Sequence, residues 1–257
     1  MATAQLTIRS TVLKMDVKVD VIIPESRRNY LDDPTDKKYP VLYVLHGGSE
    51  DNSSWLNNSI LYLLARDLDL FVVMPSAYNS SWVNTSYGLQ MQKYVSEELP
   101  AKMQRLFPIS DKREDTFIMG ESMGGYGTWV TTLTHPEKYA KAVVLSGTGY
   151  TNPLPASMGT ASPIGQITGA PSLDTLFKEK YDQGVEFPEY YFMCGTEDYG
   201  LENRLKFNQF IKDNCPNIKL KEECWSGKHD FFFWNQTIPK ALDFFGFKLD
   251  PEKIAHI

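Results

Sequence analysis

The chain has 257 residues, of which 42% are hydrophobic, 13% aromatic and 23% charged. This composition is that of a globular protein, and the length fits one large domain or two small ones. Lys and Arg number 26 against 32 Asp and Glu, so the formal net charge is -6. Because a chain of net negative charge has no cationic field that concentrates polyanions, nucleic-acid binding and docking on anionic membranes are poor candidates for its function.

The sequence also bears on the cellular compartment. No apolar stretch reaches the roughly 18 to 20 residues that a membrane-spanning helix needs, and residues 1–10 lack the apolar block of a secretory signal. The three cysteines, Cys194, Cys215 and Cys224, include no CxxC pair. They fit neither a disulfide framework nor a structural zinc site. We therefore expect a soluble, cytoplasmic protein without a metal site.

The first predicted elements are two antiparallel strands. Every second residue between Met15 and Ile23 is apolar, and a weaker alternation over residues 6–12 precedes it. Residues 26–40 are polar and rich in turn formers, so they are predicted to be a surface loop.

Short, continuous apolar runs follow, separated by segments with a helical period near 3.6 residues. Such runs are typical of strands buried on both faces of a parallel sheet. The runs are 41–45, 71–74, 116–119, 142–145, 190–193 and 218–224, and the main helical segments are 55–64, 123–133, 201–211 and 231–245. The alternation predicts an α/β fold in which helices cover both faces of a mostly parallel central sheet, in one domain over residues 1–257.

Residues 146–171 interrupt the alternation. They contain five glycines, four prolines and many Ser and Thr residues, and they are longer than the usual loop of a compact domain. Because insertions in open sheets often cover the mouth of an active site, we expect a cap or lid within about residues 146–180. A plain surface loop is the alternative interpretation.

The most specific motif is Gly-Glu-Ser-Met-Gly at residues 120–124, which fits G-x-S-x-G. A predicted strand ends directly before it and a predicted helix begins directly after it, which is the context that this motif needs. On such a strand-turn-helix elbow the serine hydroxyl projects from the edge of the sheet. Ser122 is therefore the candidate nucleophile, and the backbone N–H of Met123 is a candidate oxyanion donor.

A serine nucleophile needs a base, and the chain has four histidines. His135 ends the helix that starts at the elbow, about three turns and nearly 20 Å from Ser122. His256 is one residue from the C-terminus, and His46 precedes the serine in the chain. Only His229 fits the chain order of serine, acid and histidine that accompanies this elbow.

The acid should follow the strand predicted at residues 190–193. Asp198 is favoured because the preceding Gly-Thr turn directs it inward, whereas Glu197 and Asp230 are alternatives. The candidate triad is thus Ser122 with Asp198 and His229. Because a histidine base must be neutral to accept a proton, activity is expected to fall below about pH 6.5.

The second oxyanion donor is expected in the turn after an early strand. The turn His-Gly-Gly-Ser at residues 46–49 has this position, and we choose the N–H of Gly48. Several aromatic side chains flank the motif loops and are candidates for the wall of an apolar acyl or aryl pocket. They are Trp55, Trp82, Tyr87, Tyr199, Phe231 and Trp234.

The motif segments together resemble the tributyrin esterases among the α/β hydrolases, with esterase D (S-formylglutathione hydrolase) and cinnamoyl or feruloyl esterases as more distant likenesses. The similar segments are 39–48, 97–100, 120–127, 134–137, 194–198 and 227–230, within a likeness over about residues 5–247. The resemblance implies an α/β-hydrolase fold and cofactor-free hydrolysis of short-chain acyl esters. It assigns the triad roles to Ser122, Asp198 and His229, and it implies that Trp82 and Tyr87 lie beside the acyl pocket.

Three functions are compared on this basis. The leading one is a serine carboxylesterase that acts on acetyl, butyryl or hydroxycinnamoyl esters. A thioesterase similar to S-formylglutathione hydrolase would use the same triad. A non-catalytic binding protein on a hydrolase scaffold is disfavoured because all three triad residues are present. The expected partner is a small-molecule ester, and the resemblance also allows a homo-oligomer.

Overall fold

A computed structural model of the protein describes residues 2–24, 37–85, 88–149 and 172–254. Within these ranges eight strands form one sheet. They are β1 (Ala2–Ser10), β2 (Met15–Ile23), β3 (Val41–Leu45), β4 (Phe71–Pro75), β5 (Thr116–Glu121), β6 (Lys141–Leu145), β7 (Glu189–Gly195) and β8 (Leu220–Trp225). The predicted strands are all present: β2 and β3 have the predicted bounds, β4 to β7 are longer by one to three residues, and β8 begins two residues later than predicted.

The helices lie between and after the strands. They are α1 (Ser54–Asn58), α2 (Leu61–Ala65), α3 (Met91–Lys93), α4 (Leu99–Leu106), α5 (Met123–Thr134), α6 (Leu173–Asp182), α7 (Leu201–Asn214), α8 (Phe231–Phe245) and α9 (Pro251–Ile254). A π-helical turn, Tyr94–Glu98, joins α3 to α4. In the part of the chain that the structure describes, no helix is long and apolar enough to cross a bilayer.

The strand order in the sheet is β1-β2-β4-β3-β5-β6-β7-β8. The pairs β1–β2 and β2–β4 are antiparallel, and every pair from β4 to β8 is parallel. The predicted antiparallel N-terminal pair and mostly parallel sheet are confirmed. Because β3 and β5 to β8 run in one direction, the segments that follow these strands meet at the same edge of the sheet.

Helices cover both faces of the sheet, as predicted, because the strands are apolar on both sides. In β3, Val41, Tyr43 and Leu45 belong to one buried cluster, whereas Leu42 and Val44 belong to the other. Helices α3 to α7 pack on the first cluster, and α1, α2 and α8 pack on the second. The core therefore consists of two apolar layers separated by the sheet.

The predicted helix over residues 55–64 is wrong in one respect, because it is two helices. Ser59 has extended backbone (φ -121°, ψ 158°) between α1 and α2. The N–H of Ile60 donates to the side-chain oxygen of Asn235 in α8 at 2.8 Å instead of to a helical carbonyl. A tertiary hydrogen bond thus divides a segment whose apolar spacing alone predicts one continuous helix.

The cap predicted within residues 146–180 falls mostly on residues 150–171, which lie outside the described residues. The last part of that span is α6. Its Leu173 and Phe177 are fully buried in the first apolar cluster, where α6 packs against α5 and α7. Residues 173–182 thus belong to the helical layer that covers the sheet.

Candidate active site

Ser122 lies at the turn between β5 and α5 with positive φ (φ 53°, ψ -116°). A serine in this region of backbone space carries strain of roughly 1–3 kcal/mol. The turn is held on both sides, because the N–H of Ser122 donates to Leu145 O at 2.9 Å and its carbonyl accepts from Tyr126 N at 3.1 Å. The side chain is partly exposed at the edge of the sheet. The strained turn therefore presents the hydroxyl to solvent, as the motif predicts.

Two motif glycines are required by close approach of the backbone. A Cβ atom on Gly124 would lie 2.2 Å from the carbonyl oxygen of Leu45 in β3. A Cβ atom on Gly120 would lie 2.3 Å from the carbonyl oxygen of Gly124. Larger residues at either position would push α5 away from β3 and move the serine.

A continuous chain of hydrogen bonds joins the three predicted triad side chains. His229 lies in the loop between β8 and α8, and its Nε2 is 2.8 Å from Ser122 Oγ. Its Nδ1 is 2.7 Å from Asp198 Oδ2, in the loop after β7. With Nδ1 protonated, Nε2 can accept the serine proton. This geometry can convert the hydroxyl into a nucleophile.

The carboxylate of Asp198 is buried and is held by more than the histidine. Its Oδ1 accepts from Arg204 Nη1 at 2.5 Å, and the side chains of both residues are at most 2% exposed. Burial alone would raise the pKa of Asp198, but the hydrogen bond from His229 and the charge of Arg204 lower it well below the ordinary value. Ser146 also donates to this carboxylate. Asp198 is therefore ionised at neutral pH.

The two alternative acids have other contacts. Asp230 caps α8, where its side chain accepts from Phe233 N at 3.0 Å. Glu197 is exposed and accepts from the backbone N–H of Gly227, which ties the loop after β7 to the loop after β8. Among the three candidates, Asp198 is the one that contacts His229.

The turn after β3 contains Gly47, Gly48 and Ser49, and we call it the oxyanion turn. His46 supports it from below: Nδ1 donates to Gly47 O at 2.7 Å, and Nε2 accepts from Ala77 N at 3.0 Å. Burial lowers the pKa of His46 to about 4, so the imidazole is neutral. His46 thus has a supporting position, because both of its ring nitrogens are hydrogen-bonded to backbone groups.

The two predicted oxyanion donors come from two different segments of the chain. Met123 is the first residue of α5, where a helix leaves its N–H groups without intrahelical acceptors. Gly48 is exposed, and a Cβ atom there would meet nothing within 4 Å. Both N–H groups therefore belong to segments that border the serine, one at a helix N-terminus and one in the oxyanion turn.

The predicted substrate-contacting aromatics have three different placements. Tyr199 is 82% exposed, and its ring centroid is 4.7 Å from that of His229. Phe231 is half-buried and packs edge-to-face on Trp55 and Trp234. Trp82 is fully buried.

Trp82 is better described as a support of the oxyanion turn. Its Nε1 donates to His46 O at 3.1 Å, and its ring lies against Gly127 of α5. A fully buried ring with its N–H already bonded offers no surface to a substrate. Tyr87 lies outside the described residues.

Sequence reasoning missed two residues that contact the acid. Arg204 lies on α7 and Ser146 directly after β6. Arg204 carries a detectable signal, since it shares helical spacing with the buried Phe207 and Ile211, and an inward-facing arginine needs a buried anion. Ser146 offers no such signal, because its contact depends on how β6 and β7 are paired.

The site contains no evident metal centre. In the ranges that the structure describes, no group of three or more His, Cys, Asp or Glu side chains could hold a metal ion. His135 lies at the far end of α5 beside Glu137, with 3.4 Å between Nδ1 and Oε1.

Comparison with known proteins identifies the family. Residues 10–245 match the Esterase family model, which describes a putative esterase. The chain belongs to the Esterase family. This esterase is also 27% identical to an acetyl esterase of Caldicellulosiruptor saccharolyticus over 263 residues, covering 95% of this chain and 97% of the relative. It is a carboxylic ester hydrolase of the serine type.

Two solved structures from Staphylococcus aureus share the whole fold. The fluorophosphonate-binding serine hydrolase F is 28% identical with a TM-score of 0.85, covering 95% of this chain and 98% of the other. An S-formylglutathione hydrolase is 28% identical with a TM-score of 0.82 and the same coverage. The α/β-hydrolase fold expected from the sequence is thereby confirmed.

The buried ion pair generates a stability prediction. Arg204→Met removes one partner and leaves the carboxylate of Asp198 less compensated, so we expect the free energy of unfolding to fall by about 3 kcal/mol. Lys206→Met is the matched control, because Lys206 forms an exposed pair with Glu202 on the same helix. We expect little change there. Urea denaturation at pH 7 measures both, and equal losses would contradict the role of the buried pair.

His46 generates a prediction about pH. Its pKa is about 4 in the folded state, against about 6.5 for an ordinary histidine. Between these values the unfolded chain binds a proton that the folded chain does not, so stability falls as the pH falls. From pH 7 to pH 5 this contribution is roughly 2 kcal/mol at about 1.36 kcal/mol per pKa unit.

Between pH 7 and pH 5 we therefore expect the free energy of unfolding of His46→Gln to fall by about 2 kcal/mol less than that of the unsubstituted protein. Urea denaturation at the two pH values measures the difference within each protein, so any loss of stability at pH 7 cancels. An identical loss in both proteins would mean that His46 is not buried as the neutral imidazole.

Proposed function

We propose that this esterase hydrolyses short-chain acyl esters, of acetyl to butyryl length, through an acyl-enzyme on Ser122. The observation that carries the proposal is the hydrogen-bonded chain from Ser122 through His229 to the ionised Asp198. The short acyl chain is supported by the similarity of this chain to an acetyl esterase. The substrate is a small-molecule ester, and the reaction needs no cofactor.

Acylation begins when His229 Nε2 takes the proton of Ser122 Oγ and the oxygen attacks the ester carbonyl carbon. The carbonyl electron pair moves to oxygen, and the N–H groups of Gly48 and Met123 stabilise that oxyanion. The tetrahedral intermediate then collapses, the bond from carbon to the alcohol oxygen breaks, and the imidazolium gives its proton to the leaving alcohol. Asp198 holds the imidazole in the tautomer that this step needs.

Deacylation repeats the sequence with water as the nucleophile. His229 takes a proton from water, the resulting hydroxide attacks the acyl carbon, and the carboxylic acid leaves as Ser122 Oγ is protonated again. Arg204 takes no proton in either step. Its charge keeps Asp198 ionised, so that an anion faces the imidazolium whenever it forms.

A thioesterase that acts on S-formylglutathione is the second candidate. The S-formylglutathione hydrolase from Staphylococcus aureus resembles this chain almost as closely as the fluorophosphonate-binding hydrolase does. Initial rates on p-nitrophenyl acetate, butyrate and octanoate, methyl ferulate and S-formylglutathione separate the candidates. The proposal expects kcat/KM to be highest for acetate or butyrate; a higher value for S-formylglutathione would favour the thioesterase.

The nucleophile is tested by covalent labelling. A fluorophosphonate probe is expected to label the protein once, on Ser122, and Ser122→Ala is expected to lose both the label and at least about 1,000-fold in kcat/KM. Mass spectrometry of the intact and digested protein locates the adduct. A folded protein that takes no label would support a non-catalytic binding function instead.

We infer that Tyr199 contacts the alcohol part of the ester. Because His229 Nε2 delivers the proton to the leaving alcohol, that alcohol must lie on the imidazole side of the acyl carbon. The exposed ring of Tyr199 lies on this side, in contact with the imidazole. Arg204 lies beneath the ring, with Cζ 5.5 Å from its centroid. We therefore assign Tyr199 to the leaving group and not to the acyl group.

Tyr199→Ala is thus expected to lower kcat/KM for p-nitrophenyl acetate by roughly 3- to 10-fold, the value of one aromatic contact. Methyl acetate, whose alcohol is too small to reach the ring, should change less than about twofold. Both esters give the same acetyl-enzyme, so any change in deacylation would affect the two esters equally. Phe232→Ala is the control, since Phe232 is also highly exposed, at 85%. Equal effects on both esters would contradict the assignment.

A further inference from the structure

Glu121 is a buried carboxyl group that the proposed reaction does not use. It is the variable residue between Gly120 and Ser122 in the motif, and it is fully buried at the end of β5. No Lys or Arg side chain in the described ranges forms an ion pair with it, and neither carboxyl oxygen accepts a hydrogen bond of good geometry from an N–H or O–H group there. A carboxylate without a cation is costly to bury, so such a group is held as the neutral acid.

The carboxyl group lies directly beneath the oxyanion turn. A Cβ atom on Gly47 would be 2.5 Å and 2.6 Å from its two oxygens, so only glycine leaves room for this contact. The turn and the nucleophile thus approach each other through one side chain. Glu121 precedes Ser122 in the chain, and Gly47 precedes Gly48, the proposed oxyanion donor.

A second carboxyl group, that of Glu50, completes the arrangement. Glu50 is half-buried, and its Oε2 accepts from the backbone N–H of Gly47 at 3.3 Å. It also faces Glu121. Burial raises the pKa of Glu121 well above its ordinary value, the charge and hydrogen bond of Glu50 raise it further, and the backbone N–H of Gly47 acts in the opposite direction without cancelling these effects. Burial and a facing carboxyl group both favour the neutral acid form of Glu121.

We propose that Glu121 is a positioning residue for the oxyanion turn: as a neutral acid it donates its O–H to the carboxylate of Glu50, which in turn accepts the N–H of Gly47. The pair fixes the turn relative to the nucleophile elbow, and thereby fixes the N–H of Gly48 relative to Ser122 Oγ. The inference rests on the proposed esterase reaction and on Gly48 as a donor. It adds that the elbow residue before the serine sets the geometry of the oxyanion site.

Two substitutions of Glu121 separate its role as a hydrogen-bond donor from its role in filling the interior. Glu121→Leu fills a similar volume without a donor, so the turn is expected to loosen and kcat/KM for p-nitrophenyl acetate to fall on the order of 100-fold, as when an oxyanion donor is lost. KM should change less than about threefold. Glu121→Gln keeps an N–H that can reach Glu50 and is expected to recover at least about tenfold of that loss.

A tetrahedral inhibitor separates this positioning from general damage to the fold. An alkylboronic acid adds to the serine oxygen and places a boronate oxygen in the oxyanion site, so its inhibition constant should rise by about the same factor as kcat/KM falls. Fluorophosphonate labelling measures the concentration of active enzyme. The rates are divided by this concentration, so misfolded protein does not affect them. Glu50→Gln removes the accepting carboxylate without changing the interior of the motif, and it is expected to reduce kcat/KM about tenfold.

Glu98 supplies the matched control. Its carboxylate is also largely buried, but it accepts from Ser10 and Thr11 at the turn between β1 and β2. Glu98→Leu is therefore expected to lower Tm while kcat/KM and the boronic acid constant stay within about twofold.

Several outcomes would overturn the proposal. They are full activity in Glu121→Leu, an unchanged boronic acid constant despite lost activity, and Glu121→Gln as slow as Glu121→Leu. If Glu121→Leu does not fold, Glu121→Gln and Glu50→Gln test the proposal instead. The proposal is rejected if both of these variants bind the boronic acid as tightly as the unsubstituted protein does. Absence of turnover in the unsubstituted protein would instead refute the proposed function.

Discussion

The buried carboxylate of Asp198 is the interaction on which the rest of the site depends. One oxygen faces His229 and the other faces Arg204, so the negative charge is compensated on both sides although it is away from water. The three side chains come from the loop after β7, the loop after β8 and helix α7. They can meet because the parallel strands deliver their following segments to one edge of the sheet. The same edge receives the turn with Ser122 from β5.

Around this ion pair the site is built largely from groups that never contact the reacting atoms. His46, as a neutral imidazole, bridges Gly47 O and Ala77 N, and Trp82 donates to His46 O. Trp55 donates in the same way to Leu45 O at 3.3 Å. The carbonyl groups at the end of β3 are therefore satisfied by side chains, which hold the start of the oxyanion turn in place.

The sequence predicts those features that depend on local chemistry. The strand periods, the glycine-flanked serine and the Asp198 position follow from residues close together in the chain, and the fold agrees with them. Features set by distant partners are different. The break between α1 and α2 depends on Asn235 in α8, and the contact of Arg204 with Asp198 depends on how α7 is rotated. Trp82 illustrates the limit, because proximity to a motif loop does not tell a pocket wall from a buried support.

The positive φ of Ser122 has a cost in stability. A serine is held there in a conformation that glycine would adopt without strain, so the chain is less stable than a glycine variant would be at that position. The hydrogen bonds on both sides of the turn hold this strained conformation. Part of the stability of the fold is therefore given up to keep the hydroxyl at the edge of the sheet.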